Sequence, residues 1–191
     1  MKNLITASSG VLALTVAVPA SGAVYTFSTS IGTGSASGSI TTDGTIGILS
    51  GANIRAFNIL INDGTGTFTV TNANGQVQTG GNALTATSTG LFFNYNFGGG
   101  DYALFQNPHT GSGFNYFCLQ TSGCYSPATP GMGVRVSGAR LNSALTGNLQ
   151  FATAAAVPEP ASWALMMLGF GIIGFALRRR QGKNATTVRF I

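Results

Sequence analysis

The chain has 191 residues, 28 of them glycine, and a formal net charge of +5 from nine basic and four acidic side chains. That imbalance lies at the ends: between residues 24 and 156, Arg55, Arg135 and Arg140 balance Asp43, Asp63 and Asp101. A neutral central segment excludes nucleic-acid binding, which needs clustered cations. Its solubility rests instead on Ser, Thr, Asn, Gln and Gly.

The first 23 residues read as a signal peptide. Lys2 supplies the positive start, Leu4 to Val18 is mostly apolar, and Pro19 breaks the run. Ser21-Gly22-Ala23 then presents small residues where a signal peptidase reads them, which predicts cleavage after Ala23, with Ala20 as the second choice.

From Val24 onward the hydrophobic period is that of strands. Residues 24–28 (VYTFS) alternate and 34–40 form a strand of small residues. The stretch 24–42 is the weakest of the domain and is expected at an edge or as a loose lead-in. IRAFNILIN (54–62) reads as a mostly buried strand ending at Asp63-Gly64. Residues 66–72 alternate with Phe68 and Val70 on one face, and Asn74-Gly75 is a two-residue hairpin signal leading into 76–79. Further strands are expected at 84–88, 91–97, 102–106, 114–119, 133–137 and 148–153. No 11-residue window up to residue 156 has the period of an amphipathic helix. The prediction over 24–153 is therefore an all-β domain, an antiparallel β-sandwich or jelly-roll-like fold.

Few residues here could carry chemistry. Cys118 and Cys124 enclose a short loop and, in an exported chain, are expected to form a disulfide. Ten aromatics between Phe92 and Tyr125 are expected mainly to fill the core. Tyr95, Tyr102, Tyr116 and Tyr125 are candidates for stacking on a ligand, because their hydroxyls favour water or a partner. His109 is the single histidine; a hydrolase would have to use it with Asp101 or Asp63. Asp43 and Asp63 each precede glycine and read as turn residues. No cofactor and no metal site is expected, and the chain reads as a non-enzyme.

Beyond the linker and proline motif at 154–160, the uncharged run Ala161–Leu177 is rich in Leu, Met, Ile and Phe and ends at Arg178-Arg179-Arg180. Read as a helix it is roughly 25 Å long, slightly short of the ~20 residues that usually span a bilayer. A single transmembrane helix over 161–177 is expected, with Trp163 at one interface and a basic cytoplasmic tail at 178–191. Residues 157–180, with Pro158, Glu159, Pro160, Trp163 and Ala164, closely resemble the PEP-CTERM sorting domain in its PEPxxWA form. The resemblance implies export in a Gram-negative bacterium that makes extracellular polysaccharide. It also implies transient anchoring in the inner membrane and cleavage near Pro158-Glu159-Pro160 by an exosortase, a membrane protein resembling a cysteine transpeptidase. The expected product is a cell-surface or matrix protein with a structural, adhesive or glycan-binding β-domain. The alternatives are a surface hydrolase using His109, or a permanent single-pass membrane protein.

Overall fold

Val24–Ile31 (β1) and Gly34–Thr42 (β2) form a hairpin paired from Val24↔Thr41 to Ile31↔Gly34. Tyr25, Phe27 and Ile31 point inward from β1, and Ala36, Ile40 and Thr42 from β2. The small residues of β2 serve close approach: a Cβ at Gly38 would strike the Asn58 carbonyl of the neighbouring strand. In this computed structural model, residues 22–108, 115–122, 124, 129–136, 138, 140–155 and 160–181 are described. They fall in two units, within 1–155 and 156–191.

The remaining strands are Gly47–Ile48 (β3), Ile54–Asn62 (β4), Thr67–Thr71 (β5), Gln76–Gly80 (β6), Leu84–Ala86 (β7), Gly90–Asn94 (β8) and Tyr102–Asn107 (β9). Asn115–Gln120 (β10), Gly131–Val136 (β11), Leu141–Ala144 (β12) and Asn148–Ala154 (β13) complete them. All pair antiparallel. An eight-stranded sheet has the order β3-β7-β8-β13-β1-β2-β4-β5, and a five-stranded sheet the order β12-β11-β10-β9-β6. Their inner faces share one core, so the architecture is a sandwich. Its division into eight and five strands differs from the eight strands in total of a jelly roll.

Three expectations need correction. Residues 24–42 are not an edge: β1 and β2 lie inside the larger sheet, because Tyr25, Phe27, Ile31 and Ile40 anchor them in the core. Ile54–Asn62 is buried on one face only, and Leu60 is 47% exposed on the other. Asn74-Gly75 is not a hairpin turn, since β5 belongs to the larger sheet and β6 to the smaller. The turn passes the chain between layers. Asn74 Oδ1 accepts from the Thr71 N–H, and Gly75 N–H donates to the Thr71 carbonyl. Gly75 serves packing here, because a Cβ would meet the Gln106 carbonyl and the Val70 side chain.

Five phenylalanines cross the core. Phe57 meets Phe105 edge-on at 5.3 Å, Phe105 stacks on Phe117 at 6.2 Å, Phe117 on Phe27 at 5.2 Å, and Phe27 meets Phe151 edge-on at 6.0 Å. Both sheets contribute, so this chain of rings joins the layers. Full burial of each ring contributes about 1.5–3 kcal/mol. A polar staple adds to it: Asp63, just after β4, accepts the Val136 N–H from the other sheet at 2.9 Å.

In the second unit, residues Pro160–Gln181 form helix α1. Proline suits its first position, where an N–H would have no partner anyway. The apolar side chains from Trp163 to Phe175 are exposed on all sides of the helix. The expected transmembrane helix over 161–177 is not found: among the described residues no helix is long and apolar enough to cross a membrane. The physical reason lies in the sequence, where the uncharged run stops after Leu177, short of a ~30 Å hydrocarbon core.

Candidate functional site

On the five-stranded sheet, Cα pairing aligns Gln76, Gln106, Tyr116 and Arg135 across four strands on the outer face. The next outer row runs through Gln78, Leu104, Cys118, Gly133 and Asn142. Inner rows alternate with these, as in Val77, Phe105, Phe117, Val134 and Leu141. The sequence Gln76-Val77-Gln78-Thr79 thus writes both faces of one strand.

Part of this outer face is covered. All six residues of β10 are buried. Cys118 is bonded to Cys124 across a Cα–Cα distance of 6.4 Å. Gln120 secures the same loop, accepting from the Cys124 N–H at 2.7 Å and donating to the Thr129 carbonyl at 3.1 Å. Tyr116 is buried beside Cys118, and burial pushes its hydroxyl up to about 12, against the opposing fields of Arg140 and Arg135. Tyr95 is buried against Phe93, with ring centres 4.9 Å apart. Burial therefore removes Tyr95 and Tyr116 from any stacking platform. Tyr102 stays half-exposed, its ring lying where a Cβ on its cross-strand partner Gly80 would fall. Tyr125 and His109 lie outside the described residues.

The aspartates are structural. Asp63 Oδ1 accepts from the Thr65 hydroxyl at 2.7 Å and from the N–H groups of Thr65 and Gly66 at 3.0 Å each. These bonds, the Thr65 hydroxyl foremost, outweigh burial and hold its carboxyl at about 2. Asp101 is buried and accepts the Asn82 N–H at 2.8 Å, while its own N–H donates to the Thr121 hydroxyl. Asp43 accepts from the Thr45 N–H and the Asn53 amide and lies 3.8 Å from Arg55. The three carboxylates thus serve separate turns. Among the described residues no group of three or more His, Cys, Asp or Glu could hold a metal.

A cleft opens in the larger sheet. β1 and β13 pair only at Tyr25↔Ala154 and Thr26↔Thr153. On its other side β13 pairs with β8 throughout, with a register shift between Gln150 and Ala152. Beyond Thr26 the strands part around a cavity of about 250 Å³, lined by Ser28, Thr29 and Ser30 on one side and Leu149, Gln150 and Phe151 on the other. Met132, Ser143 and Leu145 of the opposite layer also line it. The alternation breaks on both walls, at the consecutive buried pair Phe151-Ala152 in β13 and at the inward Thr29 in β1, yet neither break by itself marks a split between strands distant in sequence.

The tail gives the clearest functional sign. Residues 156–180 match the family model of the PEP-CTERM protein-sorting motif. The chain carries a PEP-CTERM sorting signal. No curated protein and no solved structure matches the chain. PEP-CTERM proteins are exported and sorted to the cell surface, and the motif implies processing by exosortase. Of the sorting residues, Pro158 and Glu159 lie outside the described residues, while Pro160, Trp163 and Ala164 fall in the first turns of α1. Trp163 is 64% exposed. Arg178 to Arg180 fall in the last turn of α1.

Proposed function

We propose that this is a surface or matrix protein of a Gram-negative bacterium whose PEP-CTERM tail, in its PEPxxWA form, is a processing tag. An exosortase reads Pro158, Glu159, Pro160, Trp163 and Ala164 together with the basic cluster Arg178 to Arg180, and cuts close to the proline motif. The β-domain then works alone as a non-enzymatic structural, adhesive or glycan-binding component. The sorting motif at 156–180 carries this reading. It occupies a unit separate from the β-domain, so its removal leaves both sheets whole. The Cys118–Cys124 disulfide fits an oxidising destination.

The test is the intact mass of the protein recovered from the native cell surface and medium. A C-terminus near Pro158 is expected; a mass retaining Trp163 to Ile191 refutes the processing. The same measurement locates the signal-peptide cut. Cleavage after Ala23 removes the carbonyl that accepts the Thr42 N–H at 2.9 Å, whereas cleavage after Ala20 keeps it.

A further inference from the structure

We infer that the cleft between β1 and β13 is a binding site for one ring of an uncharged saccharide. This deepens the glycan-binding form of the proposed function and rests on it. The first ground is backbone chemistry. In β1 the Val24 carbonyl accepts from the Ala155 N–H at 2.7 Å, so peptide groups of even-numbered residues face β13. Pairing with β13 ends at Thr26. The N–H and C=O groups of Ser28 and Ser30 therefore face the cleft with no ladder partner among the described residues. Strands inside a sheet seldom leave such groups unpaired. Sugar hydroxyls, each a donor and an acceptor, satisfy both kinds.

The second ground is the lining. Thr29 takes an inward position between Phe27 and Ile31, where an apolar residue is the norm. Its hydroxyl lies against Met132 Sδ at 3.9 Å, a weak acceptor that leaves it able to bond a ligand. Ser143 accepts from the Gly32 N–H at 3.1 Å and keeps its own proton to donate. Met132, Leu145 and Phe151 supply the apolar surface on which the C–H face of a ring can rest. Among the described residues no ionisable side chain lines the cavity, and the matching ligand is neutral. At about 250 Å³ the cavity lies just below the ~300–1,000 Å³ of drug-sized pockets, which suits a single ring. An added peptide strand would need two parallel walls a strand-pair apart along its length, whereas β1 and β13 are directly paired at Thr26↔Thr153 at one end of the cleft.

The experiment is an NMR titration of the isotope-labelled full chain in a detergent without a sugar headgroup. The probes are soluble oligosaccharides of glucose, mannose and galactose, with an alginate oligosaccharide as the charged counterpart. The expected result is a shift of the Ser28, Thr29 and Ser30 amides with at least one neutral probe, insensitive to salt. Thr29→Val, of equal size, should weaken that binding about tenfold with the melting temperature within a few degrees of the parent. The inference is overturned if no probe at 10 mM or so moves these amides, if shifts map elsewhere, if only alginate binds in a salt-dependent way, or if the amides respond to protein concentration instead. Such a failure beside a surface-derived mass ending near Pro158 would leave the sorting reading standing and remove only the cleft.

Discussion

Replacing Asp63 by alanine removes the acceptor of four hydrogen bonds, three from backbone N–H groups and one from the Thr65 hydroxyl. Asp63 is 3% exposed. Its carboxyl lies at about 2 against an ordinary 3.8, which at 1.36 kcal/mol per unit corresponds to about 2 kcal/mol of stability from ionisation. That contribution is fully present above about pH 4 and is lost as the pH falls toward 2, because the folded state binds the proton more weakly than the unfolded one. Asp63→Asn should cost about 2 kcal/mol at pH 7, since its amide nitrogen would face the Val136 N–H, donor against donor. Asp63→Ala should cost about 3 kcal/mol, because the Thr65 and Gly66 N–H groups then lose their acceptor as well. At about 4 °C per kcal/mol for a domain of this size, the alanine variant should melt about 12 °C lower. Urea unfolding followed by circular dichroism at pH 7, 5, 4, 3 and 2 measures the effect. The difference between parent and variant should shrink as the pH falls below 4. Asp43, also held at about 2 chiefly by the Thr45 hydroxyl, titrates in the same window, so Asp43→Asn serves as the background. A parent and an Asp63→Ala variant that differ by the same amount at pH 7 and pH 2 would refute the ionic origin of the staple.

Phe117→Ala should cost about 3–5 kcal/mol in urea unfolding, since it deletes the ring that stacks on both Phe27 and Phe105; a loss below 1 kcal/mol would mean that the layers are not joined there. Reducing Cys118–Cys124 should lower stability by on the order of 2 kcal/mol, the chain-entropy value for so short a loop, read from melting with and without reductant. Tyr116 should stay neutral in ultraviolet titration until about pH 12, and the folded state should lose stability between about pH 10 and 12, as an exposed phenol would ionise first. Replacing Gly38 by valine should prevent β2 from pairing with β4, because the Asn58 carbonyl occupies the space of its Cβ; soluble, fully folded protein with native circular dichroism would contradict that contact.

Strand period was enough to find most of the β-domain. Ile54–Asn62 appears with the same bounds, and Phe68 and Val70 do share a face. The strands β3 and β12 are not legible, because Gly47–Ile48 is too short to alternate and Leu141–Ala144 carries a single large apolar residue. Assignment of strands to sheets was not legible. Asn-Gly turns favour local hairpins, yet Asn74-Gly75 carries the chain from one layer to the other, and only the pairing of β6 with β9 reveals it. The hydroxyls of Tyr95 and Tyr116 favour the surface, but the rings' burial prevails.

The sorting signal is a matter of local sequence, since the match over residues 156–180 is carried by one continuous stretch and needs no tertiary contact. The Cys118–Cys124 pair is similarly local, since so few residues separate its two sulfurs. The role of each aspartate, the burial of each tyrosine and the cleft beside Ser28 depend on residues brought together from distant parts of the chain. Val136 meets Asp63 across 73 positions, and β13 meets β1 only after all the other strands have been laid down. Such contacts leave no periodic trace, because they depend on which strands become neighbours, and that is decided when the two apolar faces close on one another.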